Sequence, residues 1–290
     1  MATEIKQWRE EVENFIPSLD GVDCDEAVIK TCIDLCEFSK IWTVPLPPID
    51  IVVIEAATDI AFVSGAPCTI TSTVIDFTDY FAAAENIVTD HQSSEIDEAD
   101  NTGPFLLETV AANLLTLNST ENLVSETAGD STYLSKSDYS LSSSDGTIVE
   151  VRKVKFDGKE IDEKGEYWLD DHVPNWRINM AAAPIYYTVD RERNLTLVPI
   201  PSQGIENGLK VWVSLKPLRS ATSVETFLYT DWLEAIVDGA LARLLTMASK
   251  PWRDFDAGNY YRKRYENHRY KALQRARLGY SKARNMGLSA

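Results

Sequence analysis

Four groups of residues in this chain have types and spacings that could carry chemistry. Cys32 and Cys36 lie one helical turn apart, the spacing at which two thiolates on one helix face can begin a zinc site. No second ligand pair stands at a standard spacing, and both fall on an apolar helix face. They read as buried, reduced thiols, and Cys24 and Cys68 also read as reduced. Glu95, Asp97, Glu98 and Asp100 form an acidic run that could attract calcium. The run lacks the ordered spacing and the glycine of an EF-hand loop, so it reads as a solvated loop. His91, His172 and His268 are isolated in sequence, whereas a general base needs an oriented partner; His268 reads as a packing residue. There is no phosphate-cradling glycine loop and no nucleophile elbow. The expectation is a protein that is no enzyme and uses no metal or cofactor.

The fourth group is the basic end. Residues 250–290 hold 11 Lys plus Arg against Asp254, Asp256 and Glu266, and five tyrosines interleave with the bases. Three readings stay open: docking on an acidic protein partner, binding of nucleic acid through phosphate pairing and base stacking, or a solvated helix face. The middle of the chain has the opposite character. Residues 76–146 carry 14 Asp plus Glu against the single base Lys136, within a chain whose net charge is −17. An acidic middle and a basic end imply two different surroundings.

Positioning these groups requires a folded scaffold. With 290 residues, 44% of them hydrophobic, the chain can bury a core in one large domain or two small ones. No stretch approaches the ~20 apolar residues of a membrane helix, and the start lacks the pattern of a signal peptide. The protein is therefore expected in the cytoplasm until something carries it elsewhere, with no membrane partner. Ile5, Trp8, Val12 and Phe15 recur at helical spacing and Pro17 ends the run. A second helix is predicted from Asp23, with Glu26 completing a capping box and Val28, Ile29, Cys32, Leu35 and Cys36 forming its apolar face. Residues 49–54 and 68–75 are rich in Val, Ile and Thr and predict strands. So do residues 151–156 before the turn Asp157-Gly158, the pair 185–189 and 195–200, and the alternating run from Leu209 to Lys216. Two helices close the chain. Thr230 is placed to cap the first, whose face is Leu233, Ile236, Val237, Ala240, Leu241, Leu244 and Leu245; the second begins near Asp254.

The expected fold class is α+β: terminal helices forming a four-helix bundle, with a projecting antiparallel β module that carries an acidic insertion. The expected divisions are 1–45 for the first helix pair, 46–75 and 147–217 for the β module, 76–146 for the insertion, 218–278 for the second pair and 279–290 for a tail. The insertion is expected to hold one helix near 104–117, with mobile flanks at 91–103 and 125–146.

From Leu209 onward the sequence reads LKVWVSLKP, then EAIVDGALARLL, then KPWRDFDAGNYYRKRYENHRYK. A strand ending in Lys-Pro, a Gly-Ala-Leu helix, Lys-Pro-Trp and a basic helix resemble the adaptor proteins of tailed-phage head–tail connectors. The N-terminal helix pair and the β elements 151–158 and 190–201 fit the same pattern, so the resemblance covers about three quarters of the chain. It implies a virion protein at the head–tail junction: a ring, commonly twelve-fold, bound under the portal protein. The ring would meet the next tail or connector protein and pass genomic DNA without sequence recognition. The portal attachment is expected at Arg262, Lys263, Arg269, Lys271, Arg275, Arg277, Tyr280, Lys282 and Arg284. A nucleic-acid-binding protein using the basic helix, or another tail component such as a terminator, is the alternative.

Overall fold

The computed structural model describes residues 2–16, 19–92, 101–248 and 250–278. Pro17, the acidic run at 95–100 and the tail at 279–290, with Tyr280, Lys282 and Arg284, lie outside the described residues. The chain is mixed α+β and divides into two compact units. Unit 1 comprises Met1–Val44, Ser142–Arg152 and Trp212–Ala290; unit 2 comprises Pro45–Leu141 and Lys153–Val211.

Unit 1 opens with a strand, β1 (Ala2–Glu4), that pairs antiparallel with β19 (Ser223–Glu225); nothing in the sequence reading anticipated it. Helix α1 (Lys6–Glu13) buries Trp8 and Val12, while Phe15, expected on the same face, is 57% exposed beyond the helix end. Helix α2 (Gly21–Ser39) starts earlier than the sequence suggested. Asp20 is its N-cap, accepting from the Val22 N–H at 3.0 Å, and Asp23 lies inside the first turn. The Arg9 guanidinium is paired with Asp25 and lies so close to Gly21 that a Cβ there would fall 2.8 Å from it, so a side chain at this position would displace the arginine head. Lys40 closes α2 in the left-handed conformation, its N–H on Cys36 O at 2.9 Å. Strand β2 (Thr43–Pro45) follows.

Unit 2 begins with β3 (Ile49–Ile51), β4 (Val53–Ala57), β5 (Ile60–Val63) and β6 (Thr69–Ser72). A short 3₁₀ turn at Phe77–Asp79 leads to β7 (Asn86–Gln92), β8 (Gly103–Ala111), β9 (Leu114–Leu117), β10 (Ser131–Lys136) and β11 (Asp138–Ser140). The expected helix near 104–117 is a β-hairpin instead. Ala111 faces Leu114 across a two-residue turn, and Pro104 faces Val88 in the neighbouring pair. The leucines of this segment fit helical spacing, but Phe105, Leu107, Leu115 and Leu117 bury their side chains with a period of two within each strand. Seven strands form one sheet in the order β4-β10-β7-β8-β9-β6-β5. Its outer strands are consecutive in the chain, joined only by Thr58 and Asp59, so the sheet curls around one core. Ile54, Phe62 and Ile70 from one side of the expected boundary share that core with Phe77, Ile87, Leu107 and Leu134 from the other. The boundary drawn at 75/76 thus falls within a sheet, and the segment 125–146, expected to be mobile, supplies β10, where Thr132, Leu134 and Ser135 are buried.

Along the chain then follow β12 (Thr147–Phe156), β13 (Lys159–Glu163), α3 (Glu166–His172), β14 (Met180–Ala181), β15 (Tyr186–Val189), β16 (Asn194–Val198), β17 (Ile200–Pro201) and β18 (Ile205–Lys216), most of them strands of a second sheet. The hydrogen-bonded order is β11-β16-β15-β13-β12-β18, with β13 and β15 parallel and β14 paired with β17 apart from it. Asp157 and Gly158 both have positive φ (43° and 77°), as a type I′ hairpin turn requires between β12 and β13. The hairpin β15–β16 forms as the sequence predicts. In β18 the alternation is buried at Leu209, Val211, Val213 and Leu215, although Ser214 on the other face is buried too, its hydroxyl 3.4 Å from Glu150 O. The chain returns to unit 1 through β18, β19 and the last two helices, α4 (Thr226–Leu245) and α5 (Phe255–Leu278). Among the described residues no helix is long and apolar enough to cross a membrane.

Candidate functional site

The candidate site is α5 and the surfaces of α2 and α4 on which it lies. Thr230 does not cap α4. The helix starts four residues earlier and is kinked at Trp232, whose backbone is non-helical, and the Thr230 hydroxyl turns back toward Phe227 O. Beyond the kink, Ala235, Ile236, Val237, Ala240, Leu241, Leu244 and Leu245 are buried, as the apolar stripe demands. The Asp254 carboxylate accepts from the Ala257 N–H at 3.0 Å at the start of α5. At 24 residues, α5 extends about 36 Å at 1.5 Å per residue.

Two glycines let α5 approach. A Cβ on Gly258 would fall 2.7 Å from Thr246, and one on Gly239 would fall 2.3 Å from Thr31 and 2.9 Å from Tyr265. At Gly239, α2, α4 and α5 therefore meet in close contact. Tyr265 is buried there, with its hydroxyl 2.8 Å from the Asp34 carboxylate and 3.2 Å from Thr31 O. Burial and the adjacent Asp34 carboxylate push the Tyr265 phenol far up, so it remains a donor.

The bases of α5 fall into two sets. The inward set is answered by acids on other helices. Arg269 Nε lies 3.5 Å from Asp34, with Arg243 of α4 at 4.0 Å from the same carboxylate; both are charge contacts without hydrogen-bond alignment. The Arg269 guanidinium also covers the Phe38 ring at 4.1 Å. Arg264 Nε and His268 Nε2 approach Asp238 Oδ2 at 3.1 and 3.4 Å. Asp238 is only 4% exposed, and burial raises its carboxyl above the ordinary value despite the opposing effect of Arg264 and His268. The outward set is Arg262, Lys263, Lys271, Arg275 and Arg277, all exposed, together with the rings of Tyr260 and Tyr270.

This division corrects the sequence reading at three residues. Arg269, expected at a partner surface, is half-buried against Asp34 and Phe38. His268 packs as expected but also faces a carboxylate. Arg264, not singled out, is part of the same cluster as His268. The acids that answer the inward bases, Asp34 and Asp238, lie outside the basic segment itself. Asp238 has a visible signal, an acid embedded in the broadest apolar stripe of the sequence. Cys32 and Cys36 are buried on α2, where burial pushes the Cys32 thiol up to about 12 and also raises Cys36 well above the ordinary thiol value, so both stay protonated. Among the described residues no group of three or more His, Cys, Asp or Glu could hold a metal ion.

Helix α5 is thus held by ion pairs on one side and is basic and exposed on the other. The comparisons agree with an adaptor. No curated protein matches the chain. The family model described as SU10 adaptor protein matches residues 106–286, more than half of the 290 residues. The match starts within β8, runs through the segment expected to be an insertion, and includes α4 and α5, while α1 and α2 precede it. The chain belongs to the SU10 adaptor protein family of phage head–tail adaptors and is a structural phage protein.

Proposed function

We propose that this adaptor is a ring subunit of the phage head–tail connector and that the outward face of α5 attaches it to the portal protein. The supporting observation is the division of charge on α5. Arg264 and Arg269 are engaged by Asp238 and Asp34, while Arg262, Lys263, Lys271 and Arg277 are exposed to a partner. Arg and Tyr at such a face have the composition of an interface anchor. Tyr280, Lys282 and Arg284 continue the basic sequence and extend the attachment. Helices α1, α2, α4 and α5 act together as one four-helix bundle in the wall of a ring, commonly of twelve copies, which also meets the next tail or connector protein. A net charge of −17 repels phosphate at close range, so genomic DNA passes through without sequence recognition. The protein is held in the host cytoplasm before assembly and in the virion afterwards.

The experiment is assembly in infected cells. Removing residues 279–290, or exchanging Lys263, Lys271 and Arg277 together for Glu, is expected to give heads that package DNA but lack tails. Normal tailed particles from both variants would refute the attachment. A second reading is favoured by Tyr260 and Tyr270, 59% and 60% exposed among the bases, which could stack on nucleotide bases. Salt-dependent binding of DNA to the isolated subunit would identify that role. A tail terminator would instead be seen, in images of labelled particles, away from the portal.

A further inference from the structure

Unit 2 carries an aromatic surface that no part of the adaptor reading uses. Tyr167 of α3 is 83% exposed, the most exposed large hydrophobic residue among those described, and Ile185 is 61% exposed. Their chain neighbours Trp168 and Tyr186 are both half-buried, with ring centroids 5.4 Å apart and planes at 74°. His172 stacks on Trp168 at 4.5 Å, and its Nδ1 lies 2.9 Å from Trp168 O. These rings are fixed from behind. Trp168 and Tyr186 pack on the buried cluster of Leu169, Trp176 and Val198, and the Trp176 indole donates to Asp170 at 2.9 Å. Exposed apolar side chains next to rings that are already fixed suit a docking site, because little entropy of the ring support remains to be lost on binding.

The chemistry of the occupant follows from two observations. First, the ammonium of Lys164 sits over Trp168 and Tyr186 at 5.2 and 5.5 Å, so aromatic rings of this surface attract cations, and Tyr167 beside them is exposed. Second, the surrounding charge is negative. Asp162 lies opposite Tyr186 in the β13–β15 register, and Asp162, Glu163 and Asp171 are all exposed. Arg177 is engaged by Glu166 and Asp170, and Asp162 and Asp171 have no ion pair among the described residues. Carboxylates at this density repel nucleic acid and attract bases.

We infer that the α3 surface is a docking site for a cationic segment of a protein partner, with Arg or Lys side chains packed on the exposed Tyr167 and Ile185 and paired with Asp162 and Asp171. It stands on unit 2 alone and does not depend on the α5 reading. The test uses the full chain and a dye-labelled ten-residue peptide alternating Arg with Ser, with a Glu–Ser peptide as its counterpart. The Arg peptide is expected to bind and the Glu peptide not. Tyr167→Ser with Ile185→Ser, and separately Asp162→Asn with Asp171→Asn, are expected to weaken binding about tenfold, since exposed side chains can be exchanged without unfolding the unit. Glu108→Gln with Asp145→Asn removes the same charge elsewhere and is expected to leave binding within about twofold. Equal weakening by all three variants would reduce the effect to general attraction by an acidic protein and overturn the site. Loss in none of them, or a DNA oligonucleotide that binds and depends on Tyr167, would overturn it as well. Charge reversal on α5 should leave peptide binding intact, so failure there and failure here are separate results.

Discussion

Asp34 and Asp238 determine which bases of α5 are available to a partner, and each makes a distinct prediction. Arg269 shares Asp34 with Tyr265 and Arg243 and stacks on Phe38, so Arg269→Glu would set a second carboxylate against the first and strip a ring of its cover. Both partners are about one-quarter to one-third exposed, and solvent screens the repulsion. The expected loss is about 1–2 kcal/mol, read as a lowered urea midpoint, whereas exposed Lys271→Glu should leave the midpoint unchanged. Asp238 behaves differently. Burial raises its carboxyl above the unfolded value even with Arg264 and His268 nearby, so the folded state holds that proton more tightly than the unfolded chain. The stability this contributes is present at low pH and is lost as pH rises above the ordinary carboxylate range, near 3.9. Asp238→Asn should therefore be at least as stable as the native chain at neutral pH, with a shallower fall in unfolding free energy from about pH 4 upward. A marked loss of stability at pH 7 would mean that the ion pairs outweigh burial.

Helix α4 is the element on which unit 1 converges, and its apolar stripe tolerates neither charge nor bulk. Leu241→Asp or Leu244→Asp puts an unpaired carboxylate at a position with no exposure; the cost of several kcal/mol against a total of roughly 5–15 kcal/mol should abolish folding, visible as loss of the cooperative thermal transition. Gly239→Ala is the finer probe. Helix propensity favours alanine by about 1 kcal/mol, but the new methyl group would fall 2.3 Å from Thr31, and overpacking costs about 1–3 kcal/mol, so net destabilisation is expected. That stripe, the hairpin β15–β16 and the Asp157-Gly158 turn were legible because one strong local signal fixes each: a seven-residue apolar face, paired β-branched runs, two turn residues that accept positive φ. The hairpin at 103–117 was not, because its leucines satisfy two periodicities and only the sheet beside it selects one. β1 was hidden for a related reason, since three residues form a strand only against β19, more than two hundred positions away. On α5 the basic face was readable from composition. Its division was not, because the acids that claim Arg264 and Arg269 lie on α4 and α2.

For the whole molecule, charge governs assembly. Subunits at −17 repel one another, so the purified protein should remain monomeric at micromolar concentration and low salt, as measured by sedimentation velocity, and close into a ring when the portal offsets that charge. A stable ring of the protein alone under those conditions would place the driving force in contacts between subunits. The central claim is that the outward face of α5 joins the adaptor to the portal. Its most direct measurement is the affinity of purified portal for the native chain and for the Lys263→Glu, Lys271→Glu, Arg277→Glu triple variant, after equal thermal transitions have shown that both are folded. The account predicts at least a hundredfold weaker binding for the variant, with the native affinity falling as salt is raised. Equal affinity for the two chains would contradict it and place the attachment on another surface.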